Sequence, residues 1–62
     1  MKDEKIVVKN APAYAADCDF VVVRDVDGEY WFYGGYNECA EANRVACLVD
    51  GLALTRKSWR NG

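Results

Sequence analysis

Sixty-two residues make one domain at most, and a chain this short buries only about 60% of the surface its unfolded form exposes. With 52% hydrophobic and 13% aromatic residues, the composition is that of a folded chain and excludes disorder. Eight Lys and Arg against ten Asp and Glu give a mild net charge of −2, and the lack of histidine removes Ser-His and Cys-His nucleophiles.

Lys5-Ile6-Val7-Val8-Lys9 is a short β-prone run bracketed by charge, the pattern of an edge strand whose lysines discourage further pairing. Asn10 to Asp19 reads as a loop around Pro12 and its neighbouring alanines, with room for a helical turn over 13–17. The preceding apolar run, Ile6-Val7-Val8, is far shorter than the core of a secretory signal. No segment approaches the length of a membrane span. The expectation is a soluble, cytoplasmic protein.

Phe20-Val21-Val22-Val23-Arg24-Asp25-Val26 is a strand, dense in β-branched residues. Asp27-Gly28 follows, a dipeptide suited to a type I′ hairpin turn, in which both central residues need positive φ. Glu29 to Tyr33 returns as the second strand. A two-residue turn sets the register. On one face Val26 opposes Glu29, Arg24 opposes Trp31, Val22 opposes Tyr33, and Phe20 lies near Gly35. On the other, Asp25 opposes Tyr30, Val23 opposes Phe32, and Val21 opposes Gly34. The stretch Gly28 to Tyr36 holds Tyr30, Trp31, Phe32, Tyr33 and Tyr36, and alternation sends aromatic rings to both faces of the sheet.

Asn37 is suited to cap a helix running from Glu38 to about Val49, with Glu38 and Glu41 near its positive end. Cys39, Ala42, Val45, Ala46 and Val49 form one apolar stripe at helical period. Asp50-Gly51 ends the helix, with Gly51 suited to a left-handed C-cap. Leu52 to Trp59 reads as the last strand, its basic end beside the acidic hairpin.

The expected architecture is a single α+β domain of order β-β-β-α-β, an antiparallel or mixed sheet with one helix packed on one face. Its parts are an N-terminal strand and loop over 1–19, a hairpin over 20–35, the helix over 37–50 and the last strand over 52–59. The first strand pairs with either the hairpin or the last strand. Val21, Val23 and Phe32, with Tyr30 at the margin, are the expected face beneath the helix. Phe20, Val22, Trp31 and Tyr33 are left on the far side, to be covered by Ile6, Val8 or Tyr14 from the N-terminal segment, or by a second protein. Arg24 is placed to lie over Trp31 as a cation–π pair.

Charge is segregated. Residues 17–41 carry seven carboxylates against Arg24 alone, whereas residues 42–62 carry Arg44, Arg56, Lys57 and Arg60 against Asp50. The three cysteines, Cys18, Cys39 and Cys47, form neither a disulfide framework nor a C-x-x-C zinc pattern, and read as reduced, mostly buried thiols. Asp25 to Glu29 fails the spacing of a calcium loop, because the first and twelfth loop positions would be Val23 and Gly34. Gly34-Gly35 lacks the Lys and Ser/Thr of a phosphate-binding loop and reads as a structural bend. No catalytic, cofactor-binding or metal-binding residue is assigned.

Tyr33-Gly34-Gly35-Tyr36, followed by an alanine-rich helix, resembles the passage from sheet to helix in plant AP2-type and phage-integrase arm-type DNA-binding domains. That resemblance implies a sheet that reads DNA through Arg and Lys. This hairpin instead carries Arg24 among Asp17, Asp19, Asp25, Asp27 and Glu29. The block Asp27 to Gly34, with Ala40, Ala42-Asn43 and Val45-Ala46, resembles short uncharacterised proteins of bacterial prophages and mobile elements. This implies a non-enzymatic accessory role and assigns no site.

The functional expectation is a small protein-interaction or regulatory protein. It self-associates or binds a partner protein through Phe20, Val22, Arg24, Trp31 and Tyr33. The alternative is a nucleic-acid-binding module in which sheet aromatics stack bases while Arg56, Lys57 and Arg60 contact phosphates.

Overall fold

The computed structural model describes residues 5–62. The chain forms strand β1 (Ile6–Lys9), a 3-10 turn (Ala13–Asp17), strands β2 (Phe20–Val26) and β3 (Glu29–Tyr36), helix α1 (Cys39–Leu48), and strands β4 (Leu52–Thr55) and β5 (Trp59–Asn61). The part of the expected N-terminal segment before Lys5 lies outside the described residues. All five strands join one mixed sheet of order β4-β2-β3-β1-β5, giving a small α+β domain.

The hairpin forms as its turn chemistry dictates. Asp27 and Gly28 both adopt positive φ, at 53° and 82°. Val26–Glu29, Asp25–Tyr30, Arg24–Trp31 and Val23–Phe32 pair in the expected register. Beyond them the register shifts. Val22 faces Gly34, Val21 faces Gly35 and Phe20 faces Tyr36, so Tyr33 is the extra residue of a β-bulge. The two glycines give this bulge room. A Cβ on Gly34 would sit 2.8 Å from the Tyr36 hydroxyl, and one on Gly35 would sit 2.5 Å from Cys18 Sγ.

The expected edge strand is not at an edge. β1 lies between β3 and β5, parallel to both. Its flanking lysines therefore do not act as edge guards, and Val8 is fully buried. The expected last strand is divided. Ser58 N–H donates to Thr55 O at 3.0 Å and the two hydroxyls meet at 2.6 Å. This turn carries the chain from β4, at one edge of the sheet, toward β5 at the other.

Both faces of the sheet are covered, but the covers are exchanged relative to expectation. Val22, with Phe20, Tyr36 and Ala53, packs under Ala42, Val45 and Ala46 of α1 and its C-cap residue Val49. Val21 and Val23 join Val8, Ala15, Leu54 and Trp59, with Phe32 and Tyr30 against them, in a second cluster on the opposite face. The topology accounts for this. β3 and β4 are both antiparallel to β2, hence parallel to each other, and α1 is a crossover between them. The handedness of such a crossover fixes the face on which its helix lies. The hairpin's own pattern does not.

The helix ends also differ in detail. The N-cap position is Glu38, without a side-chain capping bond. Asn37 Oδ1 instead accepts from the Asp19 backbone N–H at 3.3 Å, tying the start of β2 to the start of the helix. At the other end Asp50, not Gly51, takes the left-handed conformation, with φ 58°. Gly51 is required for a different reason: a Cβ there would collide with the carbonyl oxygen of Val23.

Candidate interaction surface

The site begins with alternation along β3. Phe32 and Tyr30 point into the cluster of Val21 and Val23, so Trp31 between them points to the helix side of the sheet, whereas Tyr33 is the bulge residue, at which alternation is interrupted. The helix packs chiefly on β2 and β4 and touches β3 less. It leaves the β3–β1 half of that side open. Trp31 is 40% exposed and Tyr33 49%.

The neighbours of Trp31 carry both signs of charge. Arg24 is its partner on β2 and Lys9 its partner on β1. Lys9 Nζ lies 3.1 Å from Glu29 Oε2, two residues from Trp31 along β3. Val26, 42% exposed, adds apolar area at the end of the hairpin. Val7 and Arg60 are paired between β1 and β5, and alternation from Val8 and Trp59 places both on this same side.

Of the five residues expected to form the contact face, Trp31 and Arg24 stand on it, and Tyr33 is exposed at the bulge two residues from Trp31. Phe20 and Val22 do not. Val22 is fully buried beneath α1 and Phe20 is half-buried beside it. No stacked or cation–π contact joins Arg24 to Trp31. The aromatic contact among the described residues is between Tyr14 and Phe32, edge to face, on the opposite side of the sheet.

The basic C-terminal residues do not act as one group. Arg56 Nη2 lies 3.0 Å from Asp19 Oδ1 and donates to Asp17 O at 3.3 Å, which ties the β4–β5 turn to the acidic start of the hairpin. Lys57 is exposed in the turn and Arg60 sits on the edge strand. The cysteines are all free thiols. Cys39 and Cys47 are exposed on the helix, against the expectation of buried thiols, and Cys18 is half-buried. The helix stripe is narrower than its sequence period, because Ala42, Val45, Ala46 and Val49 already cover the short strands below.

Hollows formed by the described residues mark the surface. One of about 360 Å³ is lined by Pro12, Ala13, Ala16, Arg56, Trp59, Arg60 and Asn61. One of about 250 Å³ lies along β1 beside the hairpin turn and is lined by Ile6, Val7, Lys9, Gly28, Glu29 and Tyr30. Sequence reasoning missed Trp59, read only as the end of a strand. Its position between Ser58 and Arg60, in a segment otherwise polar, was the available signal. Among the described residues no three His, Cys, Asp or Glu side chains stand together as a metal site. No described helix is long and apolar enough to cross a membrane.

No family model, curated protein or solved structure matches the chain.

Proposed function

We propose that this chain is a non-enzymatic interaction protein that self-associates through the open half of its sheet, with Trp31 and Tyr33 at the centre. The observation that carries the reading is their joint exposure, at 40% and 49%, on a strand whose other aromatic residues are at least half-buried. Exposed aromatic residues close together on one strand are what interfaces use, because each ring offers large contact area at little entropic cost. Glu29 lies on the face with Arg24 and Lys9. A two-fold contact sets opposite signs against each other across the axis, as an isologous interface requires.

The energetics favour a weak dimer. Two rings of roughly 150–250 Å² each, about half exposed, leave on the order of 180 Å² of ring surface per copy. Burying both copies' share yields about 9 kcal/mol gross at 25 cal/mol per Å². Association costs about 4–15 kcal/mol. The test is solution mass by light scattering across protein concentration, for the wild type and Trp31→Ala. The expected result is a concentration-dependent dimer in the wild type and a folded monomer in the variant. A wild type that stays monomeric at all concentrations sinks the reading.

One observation favours a second reading, single-stranded nucleic acid. Arg60 shares the sheet side with Trp31, so one strand of bases and phosphates has both within reach. Against it, Arg56 is held by Asp19. Oligonucleotide affinity that falls steeply with salt and with Arg60→Gln supports this reading over self-association.

A further inference from the structure

At the β4 edge of the sheet the fold leaves a short run of backbone groups free. The two-residue turn makes Val26 and Glu29 a hydrogen-bonded pair, so Val26 turns its backbone groups toward β3. By alternation along β2, Val21 and Val23 turn theirs the other way, toward their β4 partners Leu54 and Leu52. Ala53 and Thr55 therefore turn theirs outward. The Thr55 carbonyl agrees, since it accepts from Ser58 N–H at 3.0 Å. Among the described residues no strand pairs with that side of β4.

A free edge is normally guarded by charge, proline or a bulge. β5, at the other edge, is three residues long and carries Arg60, and its Asn61 side chain is bonded to Ala11 O. β4, Leu52-Ala53-Leu54-Thr55, has none of these guards, and its register against β2 is unbroken. The helix above it is also permissive. Ala42, Val45 and Ala46 face the sheet. The right-handed crossover then sets Cys39, Asn43 and Cys47 on the flank over the outer side of β4. All three are exposed, and none is a Lys, Arg, Asp or Glu.

The free groups complement themselves. A second β4 is laid antiparallel with Ala53 on the two-fold axis. Ala53 N–H then donates to the Ala53 carbonyl of the second copy, and its own carbonyl accepts in return. In the same register the Thr55 N–H meets the Gly51 carbonyl of the second copy. The two groups without a role there, Gly51 N–H and Thr55 O, are already bonded inside the chain, to Ala46 O at 2.8 Å and to Ser58 N–H at 3.0 Å. Leu52, 42% exposed on the Val23 side of the sheet, comes opposite Leu54 of the second copy. Beyond the strand Asp50 comes level with Arg56 of the second copy, opposite in sign.

We propose that β4 pairs edge to edge with β4 of a second copy, antiparallel across a two-fold axis at Ala53, and joins the two sheets into one. The contact is separate from the Trp31 face and does not depend on association there. It buries little apolar area beyond Leu52, so it forms at millimolar protein, above the range in which the Trp31 contact is measured.

The test uses ¹⁵N-labelled Trp31→Ala chain, which removes the other contact. Amide NMR peaks are followed from micromolar to millimolar protein. Those of Ala53 and Thr55 are expected to move progressively, and translational diffusion to slow toward that of a dimer, while the Arg60 peak on the opposite edge stays. Two further variants are added in the same chain. Leu52→Lys places a charge beside the edge. Thr55→Pro removes an outward N–H, a position at which an edge strand tolerates proline. Each is expected to weaken pairing at least fivefold, with a dispersed spectrum as evidence of folding, and either one that folds suffices. Ala53 and Thr55 peaks that hold still at millimolar protein overturn the proposal, and they do so even where the wild type dimerises through Trp31 at lower concentration. Folded Leu52→Lys and Thr55→Pro chains that associate as their parent does also overturn it.

Discussion

The ring of Tyr14 stands edge-on to that of Phe32, their centroids 6.1 Å apart and their planes at 81°. This contact brings the 3-10 turn onto the face of the sheet that the helix does not cover, and Ala15, one residue on, is fully buried there. The Phe32 face of β3 is therefore closed by the 3-10 turn. Tyr14→Ala should cost about 1–2 kcal/mol, from an edge-to-face pair of about 0.5–1.5 kcal/mol and a modest loss of packing, since Tyr14 is itself 59% exposed. Urea denaturation followed by tryptophan fluorescence measures it. A variant as stable as the wild type shows the turn to be held by Ala15 alone.

Gly51→Ala should be among the more damaging single substitutions. The added methyl meets backbone of β2, the carbonyl of Val23, and backbone does not swing aside as a side chain does. The expected loss is about 1–3 kcal/mol or more. Gly28→Ala is the comparison. Open space surrounds that position, and its cost is only that of holding an L-residue at φ 82°, about 1–2 kcal/mol. Equal thermal midpoints for Gly51→Ala and the wild type contradict this account.

Val22 and Ala46 decide how closely the helix approaches the sheet. Val22 is fully buried and Ala46 is 7% exposed, in one cluster with Ala42. Ala46→Leu should overpack this layer and cost about 1–3 kcal/mol. Arg44→Ala, exposed on the same helix, should change stability by no more than about 0.5 kcal/mol. Chemical denaturation of the pair gives the difference. A harmless Ala46→Leu implies that α1 is free to move outward.

The Arg56–Asp19 pair should contribute little to stability despite its 3.0 Å separation. Both side chains are more than half exposed, at 54% and 58%. A double-mutant cycle with Arg56→Ala and Asp19→Ala should return a coupling of about 0.2–1 kcal/mol that shrinks with salt. A larger coupling, insensitive to salt, is inconsistent with the observed exposure.

Thiol accessibility should follow position on the helix. Cys39 and Cys47 are exposed, whereas Cys18 is half-buried with its Sγ 3.6 Å from Tyr14 O. A disulfide reagent should label Cys39 and Cys47 rapidly in the native protein, and Cys18 fully only after denaturation. Mass spectrometry of the labelled peptides assigns each. Rapid labelling of Cys18 shows that the 3-10 turn opens on the timescale of the reaction.

Local chemistry determined much of this fold. Asp27-Gly28 dictated the hairpin, because few dipeptides hold positive φ at both turn positions. Phe20 to Val26 was bound to be a strand, and the period of Ala42, Val45, Ala46 and Val49 was bound to make a helix. Alternation along β3 also put Trp31 on the face away from Tyr30 and Phe32, so that part of the candidate surface was legible, whereas the bulge takes Tyr33 out of the alternation. The tertiary structure decided what lies above them. The helix covers Phe20 and Val22, not Val21 and Val23, because β4 pairs with β2 and makes α1 a crossover between parallel strands. That pairing joins residues about 30 apart in sequence, and no local pattern encodes it. The bulge at Tyr33, the interior place of β1 and the burial of Trp59 depend on the same long-range pairings. Each is a choice among packings of equal local cost, and only the assembled sheet distinguishes them.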